Sequence, residues 1–477
     1  MTNHQQNRSW APIGLEFREC FWYKCRMPPR DEIAAEKGLH HQLHAGQMAM
    51  VAVGGSIGTG LLLGSAPAMH LAGPAVILSF AFAAFVSWTV AMALGELSSA
   101  HPAAGSFGVY GDMYLNDWAG FIARAGYWAA IAISIGAELV ASATYMRFWF
   151  PAVPALVWVV VFSILLLLVN LWDVGRYGRF EFWFAMIKVV TIAAFVLLGA
   201  SLLLAGRVPA QYTANGGFFP RGVLAPLLAI TFAIYTFGGV EFVAVTSGES
   251  RSPQEVAKAT FITFVMLTLI YLGAIIVLAG VMPWTRAGVT ESPFVSVFRS
   301  VRIPGAAHLM NFVVLTAALS GSNAAFYISS RMLFSMARTG WAPARLGQLN
   351  AAGSPTFALL ASSYGVVAAL VLEKWAPGVA FEYILRGAFF GMMLSWLVSL
   401  AAHVSFRRRL TAEMVSTLPL RSPAGAAGSM VGFVLVCAAV LRGWWDSRVN
   451  FISGVALLAG LTVAYLLIKP QQTKATS

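Results

Sequence analysis

The sequence predicts an all-α polytopic membrane protein of about twelve transmembrane helices, in which the first and sixth helices are broken. Composition is the first ground. The 477 residues are 58% hydrophobic and only 10% charged, with a mean hydropathy of +0.74, against roughly 25% charged in an ordinary soluble domain. Apolar windows are the second. Stretches of the ~20 residues needed to cross the hydrocarbon core recur near 46–70, 74–97, 119–147, 154–172, 181–205, 223–247, 258–282, 306–335, 356–373, 379–403, 427–443 and 449–468. The third is a pair of glycine-rich interruptions, one in the first window and one in the sixth.

Residues 1–45 form a polar N-terminal tail that includes Trp10, Phe21, Trp22 and Tyr23. It has no apolar core of signal-peptide type, so the first membrane segment is expected to act as its own insertion signal. That segment contains Gly54-Gly55-Ser56-Ile57-Gly58-Thr59-Gly60, four glycines in seven residues. Each glycine costs roughly 1 kcal/mol against alanine in a helix interior, which makes this the weakest point of the helix. Backbone freed at bilayer depth must be satisfied by protein, water or ligand, so a break there lines a cavity. The N–H groups opening the outer half-helix suit a carboxylate, and the carbonyls closing the inner half suit an ammonium group. Gly54 and Gly58, and Gly60 and Gly64, are also spaced for close helix packing. Both readings stand on this stretch alone. A nucleotide loop is disfavoured, since no Gly-Lys-Ser/Thr follows.

The second to fifth windows complete a first set of five helices, 46–205. The loop from Ser98 to Trp118 has no Lys or Arg, and His101 within it reads as a loop histidine. Glu138 and Lys188 are charged positions inside the third and fifth windows, where a charge usually faces a partner or a water-filled space. In the sixth window Phe237-Gly238-Gly239-Val240-Glu241 repeats the pattern of weakness five helices after the first. Discontinuous helices at corresponding positions mark transporters built of two inverted halves with the binding site between them. The second half is then 206–410. Within it Arg386 falls one turn after Glu382, a spacing that suits a local ion pair, and Arg407-Arg408-Arg409 reads as a topology anchor. Residues 411–468 supply two further helices and 469–477 a short C-terminal tail. An even number of crossings puts both termini on one side, and roughly twice as many Lys and Arg residues fall on that side as opposite it, which makes it cytoplasmic.

The net charge of +12 is carried mostly between apolar segments and sets topology, so nucleic acid is not expected as a partner; membrane lipid is. Cys20, Cys25 and Cys437 form no disulfide framework and no zinc spacing. A membrane enzyme would need a nucleophile with a base, or a metal set, and the His and Cys residues are scattered. No cofactor and no metal are expected.

A family likeness is carried by Lys37-Gly38-Leu39, by Gly54 through Leu61 with Leu63-Gly64-Ser65 and Ala72-Gly73-Pro74, and by Leu94-Gly95-Glu96-Leu97 and Pro102 through Phe107. It continues in Ala137-Glu138-Leu139, Glu181 through Ala185 with Ile187-Lys188-Val189, Phe237 through Glu241, Gly248-Glu249-Ser250, Asn311 through Ser320 and Ser330-Arg331-Met332-Leu333. These residues resemble the bacterial amino-acid permeases of the amino acid, polyamine and organocation superfamily, from about Lys37 to about Arg409. The resemblance implies a leucine-transporter-type fold with a five-plus-five inverted repeat, in the bacterial cytoplasmic membrane. It also implies secondary import of an amino acid by proton symport; exchange of two amino acids and nutrient sensing are the alternatives.

Carried over by position, Thr59 and Gly60 match the residues that grip the substrate carboxylate, with Gly58 beside them. Ser56, Ile57, Tyr235 and Gly238 match carbonyl donors to the amino group, Tyr235 also serving as a lid. Lys188 matches a lysine that stands in for a sodium ion. Phe237 and Gly239 are expected to complete the pocket, which leans toward neutral, medium or large amino acids. Basic ones are the alternative should Glu138 face it. Lys188, Glu241 and Glu138 are the expected proton-coupling group, with Glu241 tying the two broken helices together. The chain departs from the family at Ser56, usually small and apolar, at Leu62, usually Phe, and at Arg386, usually small and polar.

Overall fold

Two glycine-rich stretches interrupt helices where the sequence is weakest, and the rest of the chain packs around them. A computed structural model describes residues 43–475, apart from 104–105, 173, 289–290, 301–303, 351–352 and 377. The N-terminal tail up to residue 42, with Cys20, Cys25 and Lys37-Gly38-Leu39, lies outside the described residues, as do Ala104-Gly105 and the side chains of Glu181 and Phe182.

The first window becomes α1 (Ala45–Ser56), α2 (Thr59–Leu62) and α3 (Ser65–Ala72), followed by α4 (Val76–Ala100), α5 (Ser106–Tyr114), α6 (Asp117–Met146), α7 (Ala155–Trp172) and α8 (Val174–Leu204). The sixth window becomes α9 (Ala225–Leu228), α10 (Ile230–Thr236) and α11 (Phe242–Thr246). Then come α12 (Pro253–Val281), α13 (Pro293–Ser300), α14 (Ala306–Arg338), α15 (Thr356–Ser362), α16 (Tyr364–Trp375), α17 (Ala380–Arg408), α18 (Ala412–Ser416), α19 (Gly425–Asp446) and α20 (Arg448–Ala475). The last helix runs on to Ala475, through most of the stretch read as a C-terminal tail. Nine helical spans among the described residues, α3 with α4 and α15 with α16 each counted as one, are long and apolar enough to cross a membrane. The two interrupted stretches fall short because they are broken, and α7 because it is short.

Local chemistry starts the helices at expected places. Asn116 caps α6 by accepting the Ala119 N–H, and Ser252 caps α12 ahead of Pro253, both residue types that satisfy orphan N–H groups. The core centres on α6, 83% of whose apolar window is buried, against 11% for that of α20. Glycines bring α6 close to its neighbours. A Cβ on Gly391 of α17 would lie 2.5 Å from the Gly126 carbonyl, and one on Gly365 of α16 would overlap the backbone of α6 at Ala132. Such small-residue contacts are how apolar helices gain van der Waals energy where no hydrophobic drive exists.

At the end of the bundle where α1 begins, the Leu43 N–H donates to Glu249 O at 3.0 Å and the Ala45 N–H to Glu255 Oε2 at 2.6 Å, which ties the start of α1 to the start of α12. Arg407 is more than a topology anchor. Its guanidinium grips the fully buried Glu96 of α4 with Nε 2.5 Å from Oε1 and Nη2 2.6 Å from Oε2. The Ser422 N–H also donates to Oε2 at 2.6 Å, and His403 Nε2 lies 3.3 Å from Oε1. The triple arginine thus includes one member whose charge is neutralised inside the protein.

Candidate functional site

The first break follows from hydrogen-bond arithmetic. The Ile57 N–H still reaches back to Val53 O, but the Gly58 N–H bonds Ser56 O at 3.0 Å instead of Gly54 O. Ile57 (ψ 88°) and Gly58 (φ −130°, ψ −156°) leave helical geometry, and α2 restarts at Thr59. The carbonyls that a helix end orphans need other donors. Lys188 of α8, only 1% exposed, supplies one: its Nζ donates to Gly54 O at 2.7 Å. Tyr271 of α12 supplies another, its hydroxyl donating to Ser56 O at 2.8 Å. On the far side of the gap, the Thr59 N–H opening α2 donates to Oε1 of Glu138 at 3.2 Å.

The second break runs from Phe237 to Glu241 between α10 and α11. Gly239 has φ +107°, and a Cβ there would collide with the Ser56 side chain, so the two breaks meet at this glycine. We expect Gly239→Ala to cost on the order of 1–3 kcal/mol in backbone strain and to abolish uptake, because the added methyl also pushes Ser56 away. Thermal unfolding and uptake in proteoliposomes check this; wild-type values of both would refute the close approach.

Glu241 closes the second break. Its Oε2 accepts the Gly239 N–H at 3.0 Å and the Trp396 indole N–H at 3.3 Å, and its Oε1 accepts the Tyr127 hydroxyl at 3.0 Å. The expectation that Glu241 ties the two broken helices together needs correction. Its partners are its own break, α6 and α17, and the breaks touch each other directly, as at Ser56 with Gly239 and Gly60 with Tyr235.

Between the breaks lies a cavity of about 70 Å³, several times the ~10–15 Å³ that admits one water. Ser56, Gly58 and Gly60 line it from the first stretch, and Tyr235, Gly238, Gly239 and Glu241 from the second. Glu138 and Ser134 of α6 and Met392 of α17 line it as well, and no Lys, Arg or His does so among the described residues. Tyr235 packs over Gly60, where a Cβ would lie 3.3 Å from the ring. Ile57 and Thr59 are fully buried and line no part of the cavity, Thr59 facing Glu138 through its backbone. Phe237 also lies off the cavity. It is fully buried, edge-on to Tyr271 at 5.0 Å between ring centres.

The Ser56 hydroxyl is satisfied within its own helix, donating to Ala52 O at 2.6 Å. Lys188 stands behind α1, apart from the cavity lining. Arg386 is outside the cavity too, 3.6 Å from Glu382 and over the Phe232 ring at 5.4 Å. The sequence reading missed Tyr271, Tyr127 and Trp396, the side chains that satisfy the breaks. Their only signal is that a Tyr or Trp inside an apolar helix needs a partner for its polar end.

Comparison with known proteins places this arrangement. The profile of a family described as amino acid permease matches residues 47–470. A gamma-aminobutyric acid permease of Bacillus subtilis is 32% identical over 447 residues, covering 92% of this chain and 95% of its own. An aromatic amino acid transport protein, AroP, of Escherichia coli K12 is 36% identical over 374 residues, 77% of this chain and 82% of its own. A probable threonine/serine transporter of Bacillus subtilis is 33% identical over 444 residues, 90% of this chain and 95% of its own.

Proposed function

This chain belongs to the amino acid permease family, and from that premise we propose that it imports an amino acid across the bacterial cytoplasmic membrane by proton symport with alternating access. The observation that carries the reading is the meeting of two interrupted helices at a buried polar cavity. Helix ends at mid-depth turn orphan N–H and C=O groups toward one space, the arrangement by which discontinuous helices hold a charged solute.

In this reading the chain crosses the membrane twelve times, the two interrupted stretches and α7 joining the nine long spans. Residues 46–205 and 206–410 are inverted halves of five crossings, 411–468 add two, and both termini are cytoplasmic. Ser56, Gly58, Gly60, Tyr235, Gly238 and Gly239 face the substrate. Ile57, Thr59 and Phe237 shape the breaks from behind. Lys188 carries the coupling proton, its contact with Gly54 O acting as a brace on α1 that protonation makes and deprotonation releases. Glu241 holds the second break in shape.

The relatives' names point to γ-aminobutyrate, aromatic amino acids and threonine or serine, which supports neutral substrates; Glu138 lines the cavity, so basic amino acids stay the alternative. Thermal stabilisation of the purified protein across the twenty amino acids and γ-aminobutyrate is the test. A ligand that binds only the native state adds about 2.7 kcal/mol at a hundredfold excess over its Kd, so a neutral member is expected to raise the unfolding temperature. Stabilisation by none of them would overturn the reading, and stabilisation by lysine or arginine alone would overturn the neutral assignment. Counterflow that ignores an imposed pH gradient, with no gradient-driven accumulation, would make the protein an exchanger.

A further inference from the structure

Several acceptors at the two breaks already have donors. Gly54 O takes Lys188, Ser56 O takes Tyr271, and Tyr235 O takes the Gly238 N–H at 2.9 Å. Both oxygens of Glu241 are filled by Tyr127, Gly239 and Trp396. One acceptor in the cavity lining differs. Glu138 is 8% exposed, its Oε1 is held by the Thr59 N–H, and its Oε2 has no hydrogen-bond partner among the described residues.

The space for that carboxylate is made by glycines on two other segments. A Cβ at Gly58 would lie 2.6 Å from Oε1, and one at Gly321 of α14 would lie 3.0 Å from Cδ. The first break and α14 therefore both yield room to the head of Glu138, while the Thr59 N–H fixes its orientation. The side chain lines the cavity. A buried carboxylate oxygen without a donor is costly, and a charge-assisted hydrogen bond from a cation is roughly twice as strong as a neutral one. Among the described residues no Lys, Arg or His lines the cavity, so a cation that reaches Oε2 from the cavity side arrives with the solute.

We propose that Oε2 of Glu138 receives the ammonium group of the substrate, so that α6, and not only the backbone carbonyls at the two breaks, selects for a primary ammonium. The inference rests on the amino-acid transport reading. It moves Glu138 from the proton-coupling group to substrate recognition, and it restricts ligands to those whose nitrogen carries protons to donate.

The test is equilibrium binding to the purified full-length protein with three probes, L-phenylalanine, L-threonine and γ-aminobutyrate. Each is compared with the analogue that carries a hydroxyl in place of the amino group. Wild type is expected to prefer the amino form of whichever probe binds. Glu138→Gln keeps an oxygen for the Thr59 N–H but removes the charge. It is expected to weaken the amino form by about tenfold or more and leave the hydroxy form within about twofold, so that the preference collapses. An amino-to-hydroxy preference as large in Glu138→Gln as in wild type would show that the ammonium is held elsewhere and would defeat the inference.

Should Glu138→Gln fail to fold, Gly321→Ala gives a second reading, because its methyl displaces the carboxylate without removing it. A loss larger for the amino form than for the hydroxy form is expected, and equal losses for the two would defeat the inference. The parent reading fails separately: wild type stabilised by no amino acid in the screen overturns transport itself, whereas binding with an unaltered preference overturns only the role of Glu138.

Discussion

Lys188→Ala is expected to abolish accumulation driven by an imposed pH gradient, by tenfold or more against wild type, while exchange of labelled for unlabelled amino acid persists. The lysine is 1% exposed and its Nζ lies 2.7 Å from Gly54 O, a carbonyl free to accept because the Gly58 N–H has turned to Ser56 O. A cation at that point completes the end of α1 where the helix cannot. Holding a charge at bilayer depth costs about 2.5–3.5 kcal/mol on insertion scales, and a charge kept there usually marks a functional site. A proton that comes and goes would make the brace on α1 conditional, which is what coupling requires. Alanine leaves the carbonyl unpaired at about 1–3 kcal/mol, so unfolding temperature has to be followed beside flux. Accumulation in Lys188→Ala proteoliposomes as steeply dependent on the gradient as in wild type would make the lysine structural.

What was legible in the sequence is what depends on local chemistry. Glycine clusters locate both breaks because glycine weakens a helix wherever it sits. The Glu382–Arg386 contact was legible for the same reason, since an i,i+4 spacing brings the two side chains together on any helix. Apolar windows mark helices but not their continuity. The first and sixth windows each came out as three short helices, and the last helix continues past its apolar window to Ala475.

What was missed depends on partners far away in the chain. Glu96 and Arg407, 311 positions apart, carry no mutual signal, and an arginine in a triple at a helix end looks like a topology marker. Tyr127 and Trp396 converge on Glu241 from two other helices, and each alone passes for an aromatic core residue. The placement of Phe237 is a different kind of error. Residues two apart on a helix point to nearly opposite faces, so Tyr235 and Phe237 could not both line the cavity unless the break began between them. The backbone stays near helical through Phe237 (φ −81°, ψ −1°), and of the two only Tyr235 lines the cavity.

Glu241→Ala is expected to lose both folding stability and transport, because it strips the acceptor from three buried donors at once. The Gly239 N–H, the Trp396 indole N–H and the Tyr127 hydroxyl all point at this carboxylate, and each unpaired donor costs about 1–3 kcal/mol. Gly239 would suffer first, since its positive φ is held in place by the bond from its own N–H. Glu241→Gln should behave quite differently. Its carbonyl oxygen can take the two N–H donors while its NH₂ faces Tyr127, whose hydroxyl is able to turn from donor to acceptor. Fold, binding and exchange are therefore expected to survive, and so is accumulation under a pH gradient, because in the proposed mechanism Lys188 carries the proton. Flux and unfolding temperature of the two variants, measured side by side, decide the matter. A Glu241→Gln protein that binds and exchanges normally but no longer accumulates would transfer the proton from Lys188 to Glu241, and a fully stable Glu241→Ala protein would remove the glutamate from the architecture of the break.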